Sequence, residues 1–218
     1  MPSPEEIAAA AEAKKEFFKN PVLFAQKAVM IPGYLDMTVR QNGGVGTMAL
    51  VRDENYTARR FHGEEIPVYM ISDGRQFGDG GFKAYWCPYD QNSVKQTTVW
   101  NGADAMFTDR MDGCTFAFGA PSEDGAVLVC HVNQNQYDQP GDTSKTERVQ
   151  RRMALLTVGW GGGILEPKGY RRKPGEDVGL ESTTFGVRDT RTGKWSFYAQ
   201  AIERDFTQVT LRTIKKIG

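Results

Sequence analysis

Two side chains near the middle of the chain have the chemistry of a nucleophile and its base. Cys114 and His131 lie in the apolar runs CTFAFG and AVLVCH, which the residues APSEDG separate. An imidazole that removes the thiol proton generates a thiolate, and a thiolate attacks the carbonyl carbon of an amide or ester. The segment therefore predicts a cysteine nucleophile if the fold brings these two side chains together.

A β-hairpin is the structure that would bring them together. Residues 121–124 are typical turn formers, and a turn centred between Ser122 and Glu123 places Cys114 directly opposite His131. Directly opposed residues of an antiparallel pair have Cβ atoms roughly 4.5–5.5 Å apart, which is close enough for a thiol and an imidazole to meet. A shift of one residue in this register would move His131 to the other face of the hairpin.

The residues beside the nucleophile complete the predicted site. Asp112 and Gly113 predict a tight turn, which directs the backbone N–H of Cys114 and of its neighbour Thr115 toward a developing oxyanion. Adjacent strand residues point to opposite faces, so Cys130 cannot be the thiol partner of the histidine that follows it. An ordinary core role for the thiol and the imidazole remains the alternative, because both faces of the hairpin are apolar.

The composition excludes several classes of protein. The chain has 218 residues, 39% of them hydrophobic and 25% charged, with 27 basic and 27 acidic side chains, as in ordinary globular proteins. Zero net charge does not favour nucleic acid or an anionic membrane as partner, and no apolar run approaches the roughly 20 residues of a membrane-spanning helix. The N-terminus lacks the basic start and apolar core of a conventional signal peptide, which predicts synthesis as a cytoplasmic protein.

The three cysteines and the two histidines do not predict a metal or a disulfide. Cys87, Cys114 and Cys130 are widely spaced and form no CxxC pair. His62 lies beside two glutamates but has no second histidine nearby, so a surface position is expected. No cofactor is predicted, and the glycine run at 161–163 lacks the lysine of a phosphate-binding loop, which indicates a tight turn instead.

The elements around the hairpin follow from capping and turn signals. Ser3 and Glu6 form a capping box that predicts a helix over about residues 3–20, and further helices are predicted over 21–29 and 143–158. In the last of these the residues expected to point inward are Val149, Met153, Leu155 and Leu156. Short β-type runs fill about 45–132 and 182–216, and 159–179 is predicted to be a long loop. The pattern predicts one α+β domain spanning 1–218, with mostly antiparallel strands and a few helices.

The spacing of three residues resembles that of a superfamily of cysteine-dependent glutamine deamidases. Thr108 lies six residues before Cys114, Gly113 precedes the cysteine directly, and His131 follows it by 17 residues on the next strand. A cysteine turn followed by a histidine on the next strand is found in CheD, in the catalytic domain of cytotoxic necrotizing factor and in Burkholderia lethal factor. In CheD and the lethal factor a threonine also precedes the cysteine. The match covers roughly residues 105–132, and it departs from the toxin pattern at Asp112, where the toxins have serine.

This resemblance implies a fold, a reaction and a set of roles. The fold is a sandwich of mixed sheets, and the reaction converts a glutamine side chain of a partner protein to glutamate through a thioester. Cys114 is the implied nucleophile, His131 the base and later the acid, and Thr108 the residue that orients the imidazole. The implied substrate is a chemoreceptor if the chain is CheD-like, or a host translation factor or small GTPase if it is a toxin that enters a host cell without a conventional signal peptide.

Other functions are compatible with the same residues. A peptidase or a transglutaminase would use the same cysteine and histidine, and a non-enzymatic protein-binding domain would keep Cys114 as a core residue. The basic segments 146–153 and 170–177 are typical of solvated surface, or of contact with an acidic partner. The polar segment 133–140 follows His131 and is expected at the rim of any site there. The chain is expected to be a monomer.

Overall fold

The fold was analysed in a computed structural model that describes residues 1–61, 63–134, 144–170, 180–205 and 208–218. His62, most of the polar segment 133–140 and most of the basic segment 170–177 lie outside the described residues. The helices are α1 (Pro4–Lys19), α2 (Pro21–Lys27), α3 (Met37–Asn42) and α4 (Ser144–Val158). The strands are β1 (Val29–Pro32), β2 (Gly44–Arg52), β3 (Thr57–Arg60), β4 (Glu65–Ile66), β5 (Val68–Asp73), β6 (Phe82–Cys87), β7 (Val94–Val99), β8 (Ala105–Thr108), β9 (Thr115–Phe118), β10 (Val127–Val132), β11 (Gly163–Leu165), β12 (Leu180–Arg188), β13 (Trp195–Asp205) and β14 (Gln208–Ile217).

Two sheets, a large mixed one and a small antiparallel one, form the centre of the molecule. The large sheet has the strand order β1-β5-β2-β6-β8-β12-β13-β14-β3-β4, and the small sheet has the order β11-β9-β10-β7. Most neighbours are antiparallel; the β1–β5, β6–β8 and β14–β3 pairs are parallel. Helices α1 and α2 cover the outer face of the large sheet, and α4 covers the outer face of the small one. The predicted α+β class, with mostly antiparallel strands and a few flanking helices, is confirmed.

The space between the sheets holds an apolar core. Phe116 and Val129 of the small sheet pack there against Met106 and Phe197 of the large sheet, and Cys114 belongs to the same cluster. Burying a side chain of this size contributes roughly 1.5–3 kcal/mol. The core therefore fixes the position of one sheet relative to the other. It thereby also fixes the positions of the residues at the edge of the core.

Helix α1 begins as its capping signal predicts. The Ser3 hydroxyl accepts a hydrogen bond from the Glu6 N–H at 3.2 Å, and the Glu6 carboxylate accepts one from the Ser3 N–H at 2.6 Å. Ala10, Ala13 and Phe17 form the buried face of the helix. None of the helices in the described ranges is long and apolar enough to cross a membrane.

The buried face of α4 differs from the predicted one. Thr146, Gln150 and Ala154 point inward, whereas Leu156 is 77% exposed. The short Ala154 lets the helix approach the small sheet, and Gln150 hydrogen-bonds the chain beneath it, so a polar residue occupies the position that periodicity assigns to an apolar one. Leu156 was wrongly placed because an apolar residue is not necessarily a buried one.

The segment predicted as a long loop after α4 contains a strand. Residues Gly163–Leu165 form β11 at the edge of the small sheet, antiparallel to β9. A Cβ atom at Gly162 would overlap the carbonyl oxygen of Phe118, so the glycine run is required for a close backbone approach.

A buried glutamine joins α2 and β1 to the large sheet. The side-chain oxygen of Gln200 in β13 accepts the Met30 N–H at 2.7 Å, and its Nε2 donates to the carbonyls of Ala25 and Ala28 at 2.9 and 2.7 Å. The side chain is fully buried. Three backbone groups, otherwise without access to water, thus depend on one amide.

Replacing Gln200 tests whether these three backbone groups depend on its side-chain amide. We expect Gln200→Leu to lower the free energy of unfolding by about 3 kcal/mol or more, because each buried group that loses its partner costs roughly 1–3 kcal/mol. Urea denaturation followed by circular dichroism measures the change. Gln96→Leu, at an exposed position of β7, is the matched control; equal stability of the two variants would contradict the assignment.

Candidate active site

Strands β9 and β10 form the predicted hairpin, but its register differs by two residues from the predicted one. His131 pairs with Phe116 rather than with Cys114. The next position of the same register places Asn133 beside Cys114. A shift of two residues leaves every side chain on its predicted face, so the thiol and the imidazole still share the face toward the large sheet.

The turn explains the shift in register. The Asp124 carboxylate accepts hydrogen bonds from the Ser122 hydroxyl at 2.6 Å and from the Ala126 N–H at 3.3 Å. Gly125 follows with φ at +84°, a conformation that favours glycine. These contacts centre the turn one residue later than composition alone indicates, and each such step changes the register by two.

Thr108 holds His131 from the opposite sheet, as the resemblance implies. Thr108 ends β8, beside Cys87 at the end of β6. Its hydroxyl donates to the Cys87 carbonyl at 3.0 Å and lies 2.8 Å from His131 Nδ1. Because the single hydroxyl proton is used on the carbonyl, the Nδ1–H must donate to the hydroxyl oxygen. The Nε2 atom is then the unprotonated nitrogen, which is the tautomer that a general base requires.

The imidazole is buried and neutral. His131 is 1% exposed, and burial lowers its pKa from 6.5 to about 3. The Tyr89 ring packs against it with a centroid separation of 5.4 Å and an angle of 56° between the ring planes. Within the described residues the Nε2 atom has no hydrogen-bond partner. A base with an unoccupied lone pair therefore lies in a low-dielectric position.

Cys114 lies next to this base without a hydrogen bond to it. Its sulfur accepts a hydrogen bond from Asn133 Nδ2 at 3.3 Å, and the residue is 2% exposed. In the observed register Cys114 and His131 are diagonal neighbours, which lie within reach of a long side chain. Catalytic hydrogen bonds are often long or poorly aligned in the absence of substrate, so this arrangement is compatible with a cysteine–histidine pair.

A polar pocket leads to the thiol. Its volume is about 450 Å³, and Cys114, Asn133 and Tyr89 form part of its lining. Charged side chains form the remainder of the wall, and several are paired: Arg40 Nε lies 3.4 Å from Asp109, and Arg110 lies 3.0 Å from Glu181. The full lining is Pro32, Arg40, Tyr89, Asp109, Arg110, Asp112, Cys114, Asn133 and Arg204.

Helix α4 fixes the turn before the nucleophile. Gly113 has φ at +85°, as its predicted turn requires. Gln150 Nε2 donates to the Gly113 carbonyl at 3.1 Å, and its side-chain oxygen accepts from the Thr115 hydroxyl at 2.9 Å. Since the C=O and N–H of a trans peptide point in opposite directions, the Cys114 N–H points away from Gln150. Tyr170 donates to the Cys114 carbonyl at 2.8 Å.

The two residues predicted for the oxyanion region have different environments. Gly113 provides the turn, whereas Thr115 is placed on the face toward α4. The Gly119 N–H bonds the Leu128 carbonyl, and hydrogen-bonded pairs alternate along an antiparallel ladder, so Thr115 and its partner Val132 also form such a pair. The Thr115 N–H is thereby directed at β10, and we assign Thr115 to anchoring the turn.

Several residues of the site were missed by sequence reasoning. Asn133 opens the polar segment 133–140, which was expected at the rim of the site and does contribute to the pocket lining, but no role for this residue itself was predicted. Tyr89 was not singled out. Gln150 gave a weak signal, as a glutamine at an inward position of a helix. Cys130 lies on the opposite face from His131, as predicted; α4 covers that face, and burial raises the pKa of the thiol to about 12. In the described ranges, no three or more His, Cys, Asp or Glu side chains are grouped so as to hold a metal ion.

Comparison with known proteins does not assign the chain to a family. No protein-family model matches it, and no curated protein matches it. The chemistry of the pocket therefore has to be inferred from its residues.

The buried imidazole makes stability depend on pH. In the unfolded chain His131 takes up a proton near pH 6.5, whereas the folded chain resists this down to about pH 3, so stability falls as the pH drops below 6.5. We expect a loss of about 2 kcal/mol between pH 7 and pH 5, and a clearly smaller loss for His131→Gln. Urea denaturation at several pH values measures it. Because the two proteins differ only at residue 131, identical pH slopes would contradict the assignment to His131.

The contact between α4 and the nucleophile turn can be tested in the same way. Gln150→Leu removes both hydrogen bonds from a fully buried position, and we expect it to cost about 2–4 kcal/mol of unfolding free energy. Gln26→Leu, at an exposed position of α2, is the control. A Gln150 variant as stable as this control would show that the turn does not depend on the helix.

Proposed function

We propose that this chain is a cysteine-dependent amidohydrolase that converts a glutamine side chain of a partner protein to glutamate. The observation that carries the proposal is the 2.8 Å contact between Thr108 and His131 Nδ1, which leaves Nε2 unprotonated on the same face as Cys114. The resemblance to the glutamine deamidases named these three residues from their spacing. The contact between Thr108 and His131 across two sheets, with Cys114 on the same face as the imidazole, supports a catalytic role over three unrelated core positions.

The reaction proceeds in two halves. His131 Nε2 takes the thiol proton as Cys114 attacks the amide carbon, and the proton then passes to the leaving nitrogen, so that the C–N bond breaks and ammonia departs. Water attacks the resulting thioester with Nε2 again as the base. The thiol is regenerated, and the product is a carboxylate.

The shape of the pocket favours a side chain as the substrate. Cys114 is only 2% exposed, so a reactive group must extend through the pocket to reach the sulfur. A glutamine side chain is slender and carries its amide at the tip. A backbone peptide bond in a folded protein is flanked on both sides by further chain. Access to the buried Cys114 sulfur does not favour a group of that width. This supports deamidation over peptide hydrolysis.

Mass spectrometry of exposed proteomes tests the proposal. The protein is incubated under native conditions with a eukaryotic lysate and, separately, with bacterial membranes that contain chemoreceptors. We expect a gain of about 1 Da at specific glutamines, absent with Cys114→Ser and retained with Cys130→Ala, because only the first variant lacks the nucleophile. The lysate in which modification occurs identifies the class of partner.

Other outcomes have defined meanings. Peptide cleavage that requires Cys114 would indicate a peptidase, and amine cross-linking would indicate a transglutaminase. Equal modification by wild type and Cys114→Ser would contradict cysteine catalysis altogether.

A further inference from the structure

We propose that Asn133 is a further catalytic residue of this site, whose side-chain N–H stabilises the Cys114 thiolate and whose side-chain oxygen accepts an N–H of the substrate's primary amide. The second part rests on the proposed function, because it concerns the substrate of that reaction. The first part concerns only the reactivity of the sulfur.

The position of Asn133 is fixed on several sides. Its backbone N–H donates to the Ser93 carbonyl at 3.0 Å, and its side chain is held between the Cys114 sulfur at 3.3 Å and the Tyr89 hydroxyl at 3.0 Å. The residue is 2% exposed. A thiolate accepts hydrogen bonds and cannot donate them, so it must face the NH₂ group and not the oxygen of the amide. The geometry thus orients the asparagine as a donor toward the sulfur.

The thiolate needs such a donor because the histidine does not provide a positive charge. Burial lowers the pKa of His131, which disfavours a resting imidazolium–thiolate pair. Burial and nearby negative groups also raise the pKa of the Tyr89 phenol, so its hydroxyl stays protonated and neutral. A neutral amide donor stabilises the sulfur charge without requiring a second buried ion.

The opposite end of the amide is where a ligand would bind. Within the described residues Asn133 Oδ1 is buried and has no hydrogen-bond partner, and the same holds for His131 Nε2. Two unsatisfied buried acceptors beside a nucleophile are costly unless a ligand supplies donors. A primary amide has two N–H donors, whereas an ester or a dialkyl amide has none. Holding one N–H at Oδ1 would present the leaving nitrogen to the proton on His131.

Alkylation of the thiol tests the first part without a substrate. Cys114 is labelled with iodoacetamide over a range of pH, and each cysteine is quantified by peptide mass spectrometry. We expect Asn133→Ala to lower the rate at Cys114 about tenfold at neutral pH and to move the labelling profile to higher pH. Asn133→Asp, which keeps the shape but places a carboxylate near the sulfur, should be slower still.

The two buried cysteines provide the control for folding. Cys87 and Cys130 are fully buried and burial raises the pKa of both, so they stay unlabelled while the protein is folded. If Asn133→Ala exposes Cys87 and Cys130 to labelling, the isosteric Asn133→Asp variant is used for the test instead. Labelling of Cys114 within about twofold of wild type in a folded variant would overturn the role of Asn133 at the sulfur.

A pair of alkylating reagents tests the second part on the wild-type protein. Iodoacetamide carries a primary amide, and its N,N-dimethyl analogue lacks both N–H groups; their rates are normalised to those with glutathione. We expect wild type to favour iodoacetamide about tenfold and Asn133→Ala to lose this preference. Equal normalised rates in wild type would overturn amide recognition by Asn133. Neither readout requires deamidation, so failure here is distinguishable from failure of the proposed function.

Discussion

The hydrogen bond between Thr108 and His131 is the contact on which the arrangement of the site depends. Each residue belongs to a different sheet, and the contact forms at the edge of the core that holds the sheets together. The Thr108 hydroxyl is itself fixed by the Cys87 carbonyl, so its single proton is committed and the tautomer of the imidazole follows. A change in the separation of the sheets would break this chain of hydrogen bonds. The packing of the core and the protonation state of the His131 ring nitrogens are therefore determined together.

Burial has two opposite effects on the polar groups of the site. Exclusion of water strengthens each polar contact around His131, but it also disfavours every charged intermediate. In the proposed reaction the attacking sulfur becomes negative in this environment. Neutral dipoles meet that requirement better than a buried ion pair, because dipoles are preorganised and need no second charge. The amide of Asn133 and the phenol of Tyr89 are such groups, and both lie where the sulfur meets the pocket.

The parts of this fold that follow local rules were predictable from the sequence. The α1 cap, the β9–β10 hairpin and the shared face of Cys114 and His131 depend on neighbours along the chain, and the structure has all three. Their register was predicted two residues out, because it is decided by hydrogen bonds to Asp124, which composition does not reveal. The inward face of α4 was predicted only in part: Met153 packs against the small sheet as predicted, but Leu156 is exposed. Gln150 is buried instead, where it bonds the Gly113 carbonyl, a backbone group 37 residues away.

Thr108 shows that spacing along the chain can carry information that periodicity does not. No separate run was predicted for its strand, β8, within the β-rich region 45–132, yet the spacing of Thr108 from Cys114 carried the information that it lies near the histidine. A fixed number of residues between the end of β8 and the start of β9 sets how far the chain can travel between the two sheets. The same connection includes Met111, which pairs with Ser182 of the large sheet. The spacing between Thr108 and Cys114 therefore determines where the chain crosses from the large sheet to the small one. The orientation of His131 depends on that crossing, because it places Thr108 level with the imidazole.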